Sequence, residues 1–307
     1  MMKRQEGQSC AIFWLAGCKV ELRTNSAEFL ARLSQLYYAR VSDHGDQNGD
    51  RNGDRAESAR AQLPTFSVHH TSNGAEWRVI DAGSQLHVKP NLDEALYKVD
   101  RSFGAHAATR RGDCVHLHGG AMTNGRQTLL LIGPPRMGKS TLLAGLASLG
   151  FVLVSEELIF LDVARLSLIP FQRSFLLRED VLASLRAFWP AAAVCFSHTK
   201  FDGKRRYVVD PASYRQLSPG ARAKPSLLFF PRYAPEERTR LRALDPAEVL
   251  ERLTQEGMNL EERTTERLCA LIDVAHALPG YELTMASLEE GVSSIRATLA
   301  SCGAPVP

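Results

Sequence analysis

The sequence predicts an α/β fold, and the stretch from Thr128 to Glu157 gives the main reasons. The apolar run Leu129–Ile132 predicts a buried strand. Leucines at helical spacing between Thr141 and Leu149 predict a helix with one apolar face. A second apolar strand is predicted from Phe151 to Val154. A strand, a helix and a strand in this order are typical of an α/β core.

A glycine-rich segment between the first strand and the helix matches the phosphate-loop pattern G-x-x-x-x-G-K-[ST]. Its glycines let the backbone approach a polyphosphate, and the first helical turn adds free N–H groups and a partial positive charge. The lysine can reach the β- and γ-phosphates, and the serine can ligate Mg²⁺. A chance glycine-rich turn is the alternative, but the flanking strand and helix are the context that the motif requires. The predicted nucleotide-binding residues are Gly133, Pro134, Pro135, Arg136, Met137, Gly138, Lys139, Ser140 and Thr141.

Composition and charge argue against several classes of protein. Of the 307 residues, 44% are hydrophobic and 23% charged, and the formal net charge is +3 without a basic block, so nucleic acid is not expected as a partner. The six cysteines include no C-x-x-C pair, which argues against a zinc knuckle or a disulfide framework. Reduced thiols in a cytoplasmic protein are expected. No apolar run approaches the ~18 residues of a spanning helix, so no membrane partner is expected.

Residues 1–112 are predicted to form an N-terminal α+β lobe. It begins with a strand, Cys10–Leu15, followed by the alternating segment Lys19–Leu22. The intervening Leu15-Ala16-Gly17-Cys18 also looks like a bacterial lipoprotein cleavage box. The strand is favoured because the apolar stretch is short for a signal peptide and Glu6 lies where a basic region belongs.

A capping box, Asn25-Ser26-Ala27-Glu28, predicts a helix that runs to about Val41. Residues 43–60 lack large apolar side chains and repeat Asn-Gly-Asp, which predicts a flexible surface loop. A calcium loop is the alternative, but Arg51 and Arg55 stand where the EF-hand pattern needs glycine.

The rest of the lobe is predicted to contain three strands and a helix. The strands Thr65–His70 and Trp77–Asp81 are joined across Ser72-Asn73-Gly74, which is a hairpin signal, and Leu86–Val88 forms a third strand. A helix capped at Asn91 is predicted to run to about Arg110.

Two features near the glycine-rich segment are unusual for a doubly wound nucleotide-binding fold. The acidic pair Glu156-Glu157 comes only 17 residues after Lys139. The next segments, Leu158–Asp162 and Leu166–Ile169, predict two short antiparallel strands, where a standard fold would show another strand–helix crossover. A strand at Val115–His118 precedes the whole unit.

Residues Cys114 to Ser174 resemble the HPr kinase/phosphorylase catalytic-domain superfamily, and most closely the short HPr-kinase-like proteins of modified-peptide gene clusters, such as those for lasso peptides. His118-Gly119 lies 15 residues before Gly133, where the family has a His-Gly, and Glu156-Glu157 holds the place of its Asp-Asp pair. Glutamate for aspartate is a departure that moves each carboxylate one methylene further out. The Glu-x-Arg-Gly-Leu-Gly segment of true HPr kinases is not found, so neither the phosphorolytic reaction nor HPr as substrate is expected.

The resemblance implies a phosphate-loop core of the HPr-kinase type in residues 113–307 and a set of catalytic roles. Glu156 would act as base on the acceptor hydroxyl, Glu157 would hold Mg²⁺ with Ser140, and His118 would lie close to the transferred group. Lys139 would hold the β- and γ-phosphates. Arg173, in a segment that resembles a Pro/Arg segment of these kinases, would stabilise the transferring phosphoryl group, with a surface arginine as the alternative.

The expected function is therefore ATP-dependent transfer of the γ-phosphoryl group to a hydroxyl, with ATP and Mg²⁺ as cofactors. A serine of a peptide or protein and a small alcohol are all possible acceptors, and a homo-oligomer is possible. The alternative is a nucleotide-binding regulatory or scaffold protein, or a partner-coupled ATPase, with little phosphotransfer.

The segments after Ser174 predict further elements without catalytic motifs: strands at Tyr207–Val209, Leu227–Phe230 and Tyr281–Thr284, and helices at Pro246–Gln255, Leu260–Leu278 and from Ser287.

Overall fold

The structure is a computed structural model that describes residues 9–37, 39–41, 63–71, 76–83, 85–199 and 202–301. The predicted loop 43–60, with its calcium-loop alternative, and the predicted turn 72–74 lie outside these residues. No helix of the described ranges is both long and apolar enough to span a membrane.

The described chain contains both helices and strands. The helices are α1 (Ala27–Leu36), α2 (Leu92–Arg110), α3 (Lys139–Ser148), α4 (Glu179–Phe188), α5 (Pro246–Gln255), α6 (Thr264–Ala277) and α7 (Leu288–Ser301), with a short 3-10 helix at Pro211–Ser213. The strands are β1 (Ser9–Leu15), β2 (Cys18–Thr24), β3 (Ala39–Val41), β4 (Thr65–His70), β5 (Trp77–Ile80), β6 (Leu86–Lys89), β7 (Cys114–Thr123), β8 (Thr128–Ile132), β9 (Val152–Ser155), β10 (Leu158–Asp162), β11 (Ser167–Ile169), β12 (Leu176–Leu177), β13 (Val194–Thr199), β14 (Arg205–Val209), β15 (Arg215–Gln216), β16 (Leu227–Tyr233), β17 (Arg240–Leu244) and β18 (Gly280–Met285). The α/β fold class predicted from the sequence is confirmed at this level.

The N-terminal sheet has the strand order β3-β1-β2-β4-β5-β6, and α1 and α2 pack against it. The strands β1 and β2 form a hairpin in which Leu15 pairs with Cys18 across Ala16 and Gly17. Both turn residues have positive φ, as a two-residue hairpin turn requires. The strand prediction for this segment is confirmed.

Helix α1 is shorter than predicted. It was expected to reach about Val41, but it ends at Leu36, and Ala39–Val41 pairs with β1 as a strand. Tyr37 leaves the helix with extended φ and ψ of −130° and 150° and forms a β-bridge with Arg173. Tertiary pairing with a distant part of the chain therefore overrides the local helical pattern.

The second sheet follows the path β11-β10-β7-β8-β16-β18-β17, and β9 pairs with β7 and β15. Strands β8, β16 and β18 are parallel, and β9 runs in the same direction because both β8 and β9 are antiparallel to β7. The predicted antiparallel pairing of β10 with β11 is confirmed. The carboxyl ends of β8, β9, β16 and β18 therefore open on one edge, where ligands bind in α/β sheets.

Helices cover both faces of this sheet. Leu129 and Leu131 of β8 pack in the cluster that contains α3 and α7, whereas Leu130 and Ile132 pack in the cluster that contains α5 and α6. This alternation is the two-residue period of a strand that is buried on both faces. Helix α6 begins later than predicted, at Thr264, because the preceding Asn259 side chain accepts from the backbone N–H of His116 and donates to the backbone oxygen of Cys114 on β7.

A small third sheet, β12-β14-β13, and helix α4 complete the described chain. Helix α4 contacts α3 and α7. Strand β14 was predicted from the sequence, but α4 and the strands β12 and β13 were not; β12 has only two residues.

Candidate functional site

The glycine-rich segment, residues 133–140, connects the end of β8 to the start of α3, and we call it the glycine loop. The acidic pair follows the end of β9 at the same sheet edge. A cavity of about 1000 Å³ opens there. Its lining includes His118, Lys139, Ser140, Glu156, Glu157 and Tyr233. The fold thus brings together residues that are up to 115 positions apart in the chain.

Gly138 is the N-terminal cap of α3 and has a left-handed backbone, with φ of 89°. A Cβ at this position would lie 2.2 Å from the terminal methyl carbon of Met285, so both the backbone and the packing require glycine. No side chain of the described residues caps this helix end. Its first-turn N–H groups therefore remain available to an anion.

Lys139 is buried, and its ammonium group donates to the carbonyl oxygens of Gly133 and, at 2.8 Å, of Pro134. Burial lowers the pKa of Lys139, while the negative charges of Glu256, Glu157 and Glu156 oppose that change. The ammonium group thus lies on the glycine loop itself, with three carboxylates in its electrostatic surroundings.

Ser140 and Glu156 are in direct contact across the site. The Ser140 hydroxyl donates to Oε1 of Glu156 at 2.8 Å, and Arg173 Nη1 donates to Oε2 at 3.0 Å. Glu156 is 2% exposed. Burial raises the pKa of Glu156, and the positive charge of Arg173 opposes that rise. Both carboxylate oxygens of Glu156 are therefore engaged within the protein.

Arg173 is held by the N-terminal lobe. Its Nε and Nη2 atoms donate to the two carboxylate oxygens of Asp100 at 2.7 and 2.8 Å, and the Tyr37 hydroxyl donates to Oδ1 of Asp100 at 2.6 Å. Asp100 and Tyr37 were not identified from the sequence as site residues. A signal existed for Asp100, because it lies at helical spacing from Leu96 and Phe103 on the buried face of α2, where an unpaired acid is rarely found.

Glu157 differs from Glu156 in both backbone and exposure. Its φ is 71°, in a tight turn closed by the Leu158 N–H, which donates to the Glu156 carbonyl at 2.9 Å. The Gly119 N–H donates to the Glu157 carbonyl at 3.3 Å. The Glu157 side chain is 44% exposed, and a carboxylate oxygen lies 4.0 Å from Arg173 Nη1. Strained backbone of this kind is concentrated at functional sites and is maintained by surrounding contacts.

His118 lies on β7 and lines the same cavity. Its Nδ1 is 3.4 Å from Oε2 of Glu256, the residue that ends α5, and its backbone N–H donates to the Glu256 carbonyl at 3.0 Å. Burial lowers the pKa of His118, and the nearby Lys139 charge lowers it further. Glu256 was not identified from the sequence, because it lies far along the chain and in no motif.

The remaining predicted residues occupy the outer part of the glycine loop. Pro134, Pro135 and Arg136 are exposed, Met137 is half-buried, and Arg136 has a φ of 72°. Thr141 lines the cavity from the first turn of α3. Over the described ranges, no group of three or more His, Cys, Asp or Glu side chains is arranged to hold a metal ion.

Comparison of the chain with models of known protein families gives no match. A search among curated proteins gives no match either.

Proposed function

We propose that the protein binds Mg·ATP at the glycine loop and transfers the γ-phosphoryl group to a hydroxyl. The observation that carries this proposal is the contact of Ser140 with Glu156, made beside the uncapped start of α3 and the ammonium group of Lys139. A helix N-terminus and a lysine favour phosphate, and a serine hydroxyl beside carboxylates favours Mg²⁺. If the glycine loop were only a structural turn, its backbone would require the glycines but not Lys139, Ser140 or Glu156.

The residues present fit a nucleotide-bound Mg²⁺. Protein sites usually bind this ion through one or two carboxylates together with substrate phosphates, and do not enclose it in a cage of protein ligands. The Ser140 hydroxyl and the acidic pair are oxygen donors of that kind. When bound, Mg²⁺ would neutralise charge that develops on the phosphates.

The geometry favours different roles for the two glutamates from those implied by the resemblance. Both oxygens of Glu156 are engaged by Ser140 and Arg173, which suits a residue that orients the serine and the metal. Glu157 lines the cavity with a partly exposed carboxylate, which suits a base that must reach an acceptor hydroxyl. We therefore propose Glu157 as the base.

The cavity extends beyond the glycine loop and offers space for an acceptor. Its far wall includes Leu176 and Leu177 of β12 and Val181 and Phe188 of α4. An acceptor with an apolar part would bury that part against this wall. A peptide, a protein segment and a small alcohol all remain candidates, and the use of ATP places the proposed activity in the cytoplasm.

A regulatory nucleotide-binding protein, or a partner-coupled ATPase, is the second candidate. The engagement of both Glu156 oxygens by Ser140 and Arg173 favours it. A carboxylate held in this way could respond to a bound nucleotide without taking part in phosphoryl transfer. Transfer of label from γ-labelled ATP to an acceptor separates the two candidates, whereas nucleotide binding does not.

The first test is Lys139→Ala. We expect much weaker Mg·ATP binding by calorimetry and loss of phosphoryl transfer, because the variant removes the positive charge on the glycine loop. Lys224→Ala is the control, since it removes a surface lysine of the same domain. Unchanged ATP affinity in Lys139→Ala would contradict the nucleotide site.

A further inference from the structure

Asp100 is a buried acid of the N-terminal lobe that lies behind the proposed site. It is 7% exposed, and its carboxylate accepts from Nε and Nη2 of Arg173 and from the Tyr37 hydroxyl. The two arginine contacts form a bidentate pair, which fixes the plane of the guanidinium group as well as its position.

The orientation set by Asp100 determines where the third nitrogen of Arg173 points. Nη1 donates to Glu156, whose other oxygen accepts from Ser140. A continuous series of contacts therefore runs from Tyr37 through Asp100, Arg173 and Glu156 to Ser140. We call it the buried ion chain.

The backbone supports the same connection. The bridge between Tyr37 and Arg173 places the two side chains on neighbouring extended segments. The Ser174 N–H donates to the Leu36 carbonyl at 2.8 Å, beside that bridge. The end of α1 is therefore tied to the segment that carries Arg173.

The buried ion chain leaves Arg173 little freedom to contact a phosphate directly. Its side chain is 5% exposed, and all three guanidinium nitrogens donate to carboxylates. Without Asp100, the guanidinium would keep its charge but lose the partner that fixes its plane. Glu156 would then lose the fixed donor that orients it toward Ser140.

We propose that Asp100 is a positioning residue that acts through Arg173 and Glu156 to hold Ser140 in place for Mg²⁺. This inference rests on the proposed function. It gives the N-terminal lobe a part in the site although Asp100 itself lies outside the cavity lining described above.

The test uses full-length protein and ATP, with Mg²⁺ varied at a fixed ATP concentration, and follows hydrolysis of γ-labelled ATP with water as acceptor. We expect Asp100→Asn to raise the Mg²⁺ concentration for half-maximal rate about tenfold or more. Asp100→Glu keeps the charge and should recover part of that loss. Glu94→Gln, which removes a carboxylate from the same helix, should stay within twofold of wild type.

Action through Glu156 is tested in a second background. In Glu156→Gln, adding Asp100→Asn should change the Mg²⁺ dependence by less than twofold, because the group that transmits the effect is already altered. If Asp100→Asn instead raises the Mg²⁺ requirement by the same factor in Glu156→Gln as in wild type, Asp100 does not act through Glu156. If Asp100→Asn does not fold, the nearly isosteric Tyr37→Phe removes only the hydroxyl, which donates to Oδ1 of Asp100 at 2.6 Å and to its backbone carbonyl at 3.4 Å, and should raise the Mg²⁺ requirement two- to threefold.

The outcomes separate the inference from the proposed function. If Asp100→Asn lowers the melting temperature but leaves the Mg²⁺ dependence within twofold of wild type, Asp100 is only structural and the inference is wrong. An unchanged Mg²⁺ dependence in Tyr37→Phe would likewise show that the inference is wrong. If wild type does not bind Mg·ATP, or Lys139→Ala binds it equally well, the proposed function fails and the inference fails with it.

Discussion

At the scale of single residues, the acidic pair is the most informative part of the site. Glu156 and Glu157 are adjacent and carry the same functional group. Glu156 is nevertheless 2% exposed, whereas the side chain of Glu157 is 44% exposed. The positive φ of Glu157 causes the difference, because it turns the chain sharply at the end of β9. Neighbours in sequence therefore reach different environments.

We expect Glu157→Gln to lower the rate of phosphoryl transfer strongly, because glutamine keeps the size of the side chain but cannot take the proton. Loss of a general base typically costs a factor of ~10² to 10⁴ in rate. Binding of Mg·ATP should change much less, since Lys139 and the glycine loop remain. Single-turnover transfer from γ-labelled ATP measures the rate, and calorimetry measures the binding.

Glu156→Gln is the matched comparison. It should raise the Mg²⁺ concentration needed for half-maximal rate, and excess Mg²⁺ should restore part of the activity. The opposite pattern, with a rate loss in Glu156→Gln that Mg²⁺ does not restore and little change in Glu157→Gln, would support the assignment implied by the family resemblance. Changes below about twofold in both variants, as surface substitutions give, would favour the regulatory alternative.

At the scale of elements, β7 organises the site. Its first half pairs with β10 and its second half with β8 and β9, so it lies between the strand that precedes the glycine loop and the strand that precedes the acidic pair. Gly119 is at the point where the pairing changes. A Cβ there would lie 2.6 Å from the Leu131 carbonyl oxygen and 2.9 Å from a methyl carbon of Ile159.

We expect Gly119→Ala to lower both the stability of the protein and its affinity for nucleotide. Stability should fall because the backbone of β8 at Leu131 must move to admit the methyl group. Affinity should fall because β8 leads directly into the glycine loop. Thermal unfolding and ATP calorimetry measure the two effects. Gly220→Ala is the control, since a Cβ there meets nothing within 4 Å. Equal melting temperatures in the two variants would show that β7 and β8 can separate without cost.

At the scale of the whole molecule, one hydrophobic cluster connects the N-terminal lobe to the part of the chain that carries the glycine loop. Phe13 and Phe103 of the lobe belong to the same cluster as Phe160 and Phe171. Phe103 and Phe171 both pack against Tyr37, with ring centroids 5.3 and 5.9 Å from it. The buried ion chain crosses the same boundary. The division into residues 1–112 and 113–307 therefore passes through a shared core.

We expect the two parts to unfold together, because separating them would expose this apolar cluster and leave Asp100 and Arg173 without each other. Calorimetry should show a single transition with equal calorimetric and van't Hoff enthalpies. Phe171→Ala should lower the stability of the whole chain, by about 3–5 kcal/mol for a buried phenylalanine. Two separate transitions, of which Phe171→Ala shifts only one, would show that the parts fold independently.

Local sequence was sufficient to predict the central elements. The apolar run of β8, the glycine loop and the leucines of α3 follow one another within about twenty residues, so backbone geometry and periodicity determine them without distant contacts. The start of α1, the helix α2 and the pairing of β10 with β11 were predicted for the same reason. The predicted capping box of α1 was wrong in detail, because the N-cap is Ser26, whose side chain accepts from the Phe29 N–H. The end of α1 was not predicted, because Tyr37 takes extended backbone angles and forms a bridge to Arg173, 136 residues away.

The sequence by itself was enough to propose which residues bind phosphate, because that chemistry is local to one loop and one helix start. Only the tertiary structure decided which groups surround them. It paired Glu156 with Ser140 and Arg173, placed Glu256 beside His118, and brought Asp100 from the N-terminal lobe behind the site. The physical reason is that buried charges must find partners wherever the fold supplies them, and those partners have no fixed spacing along the chain.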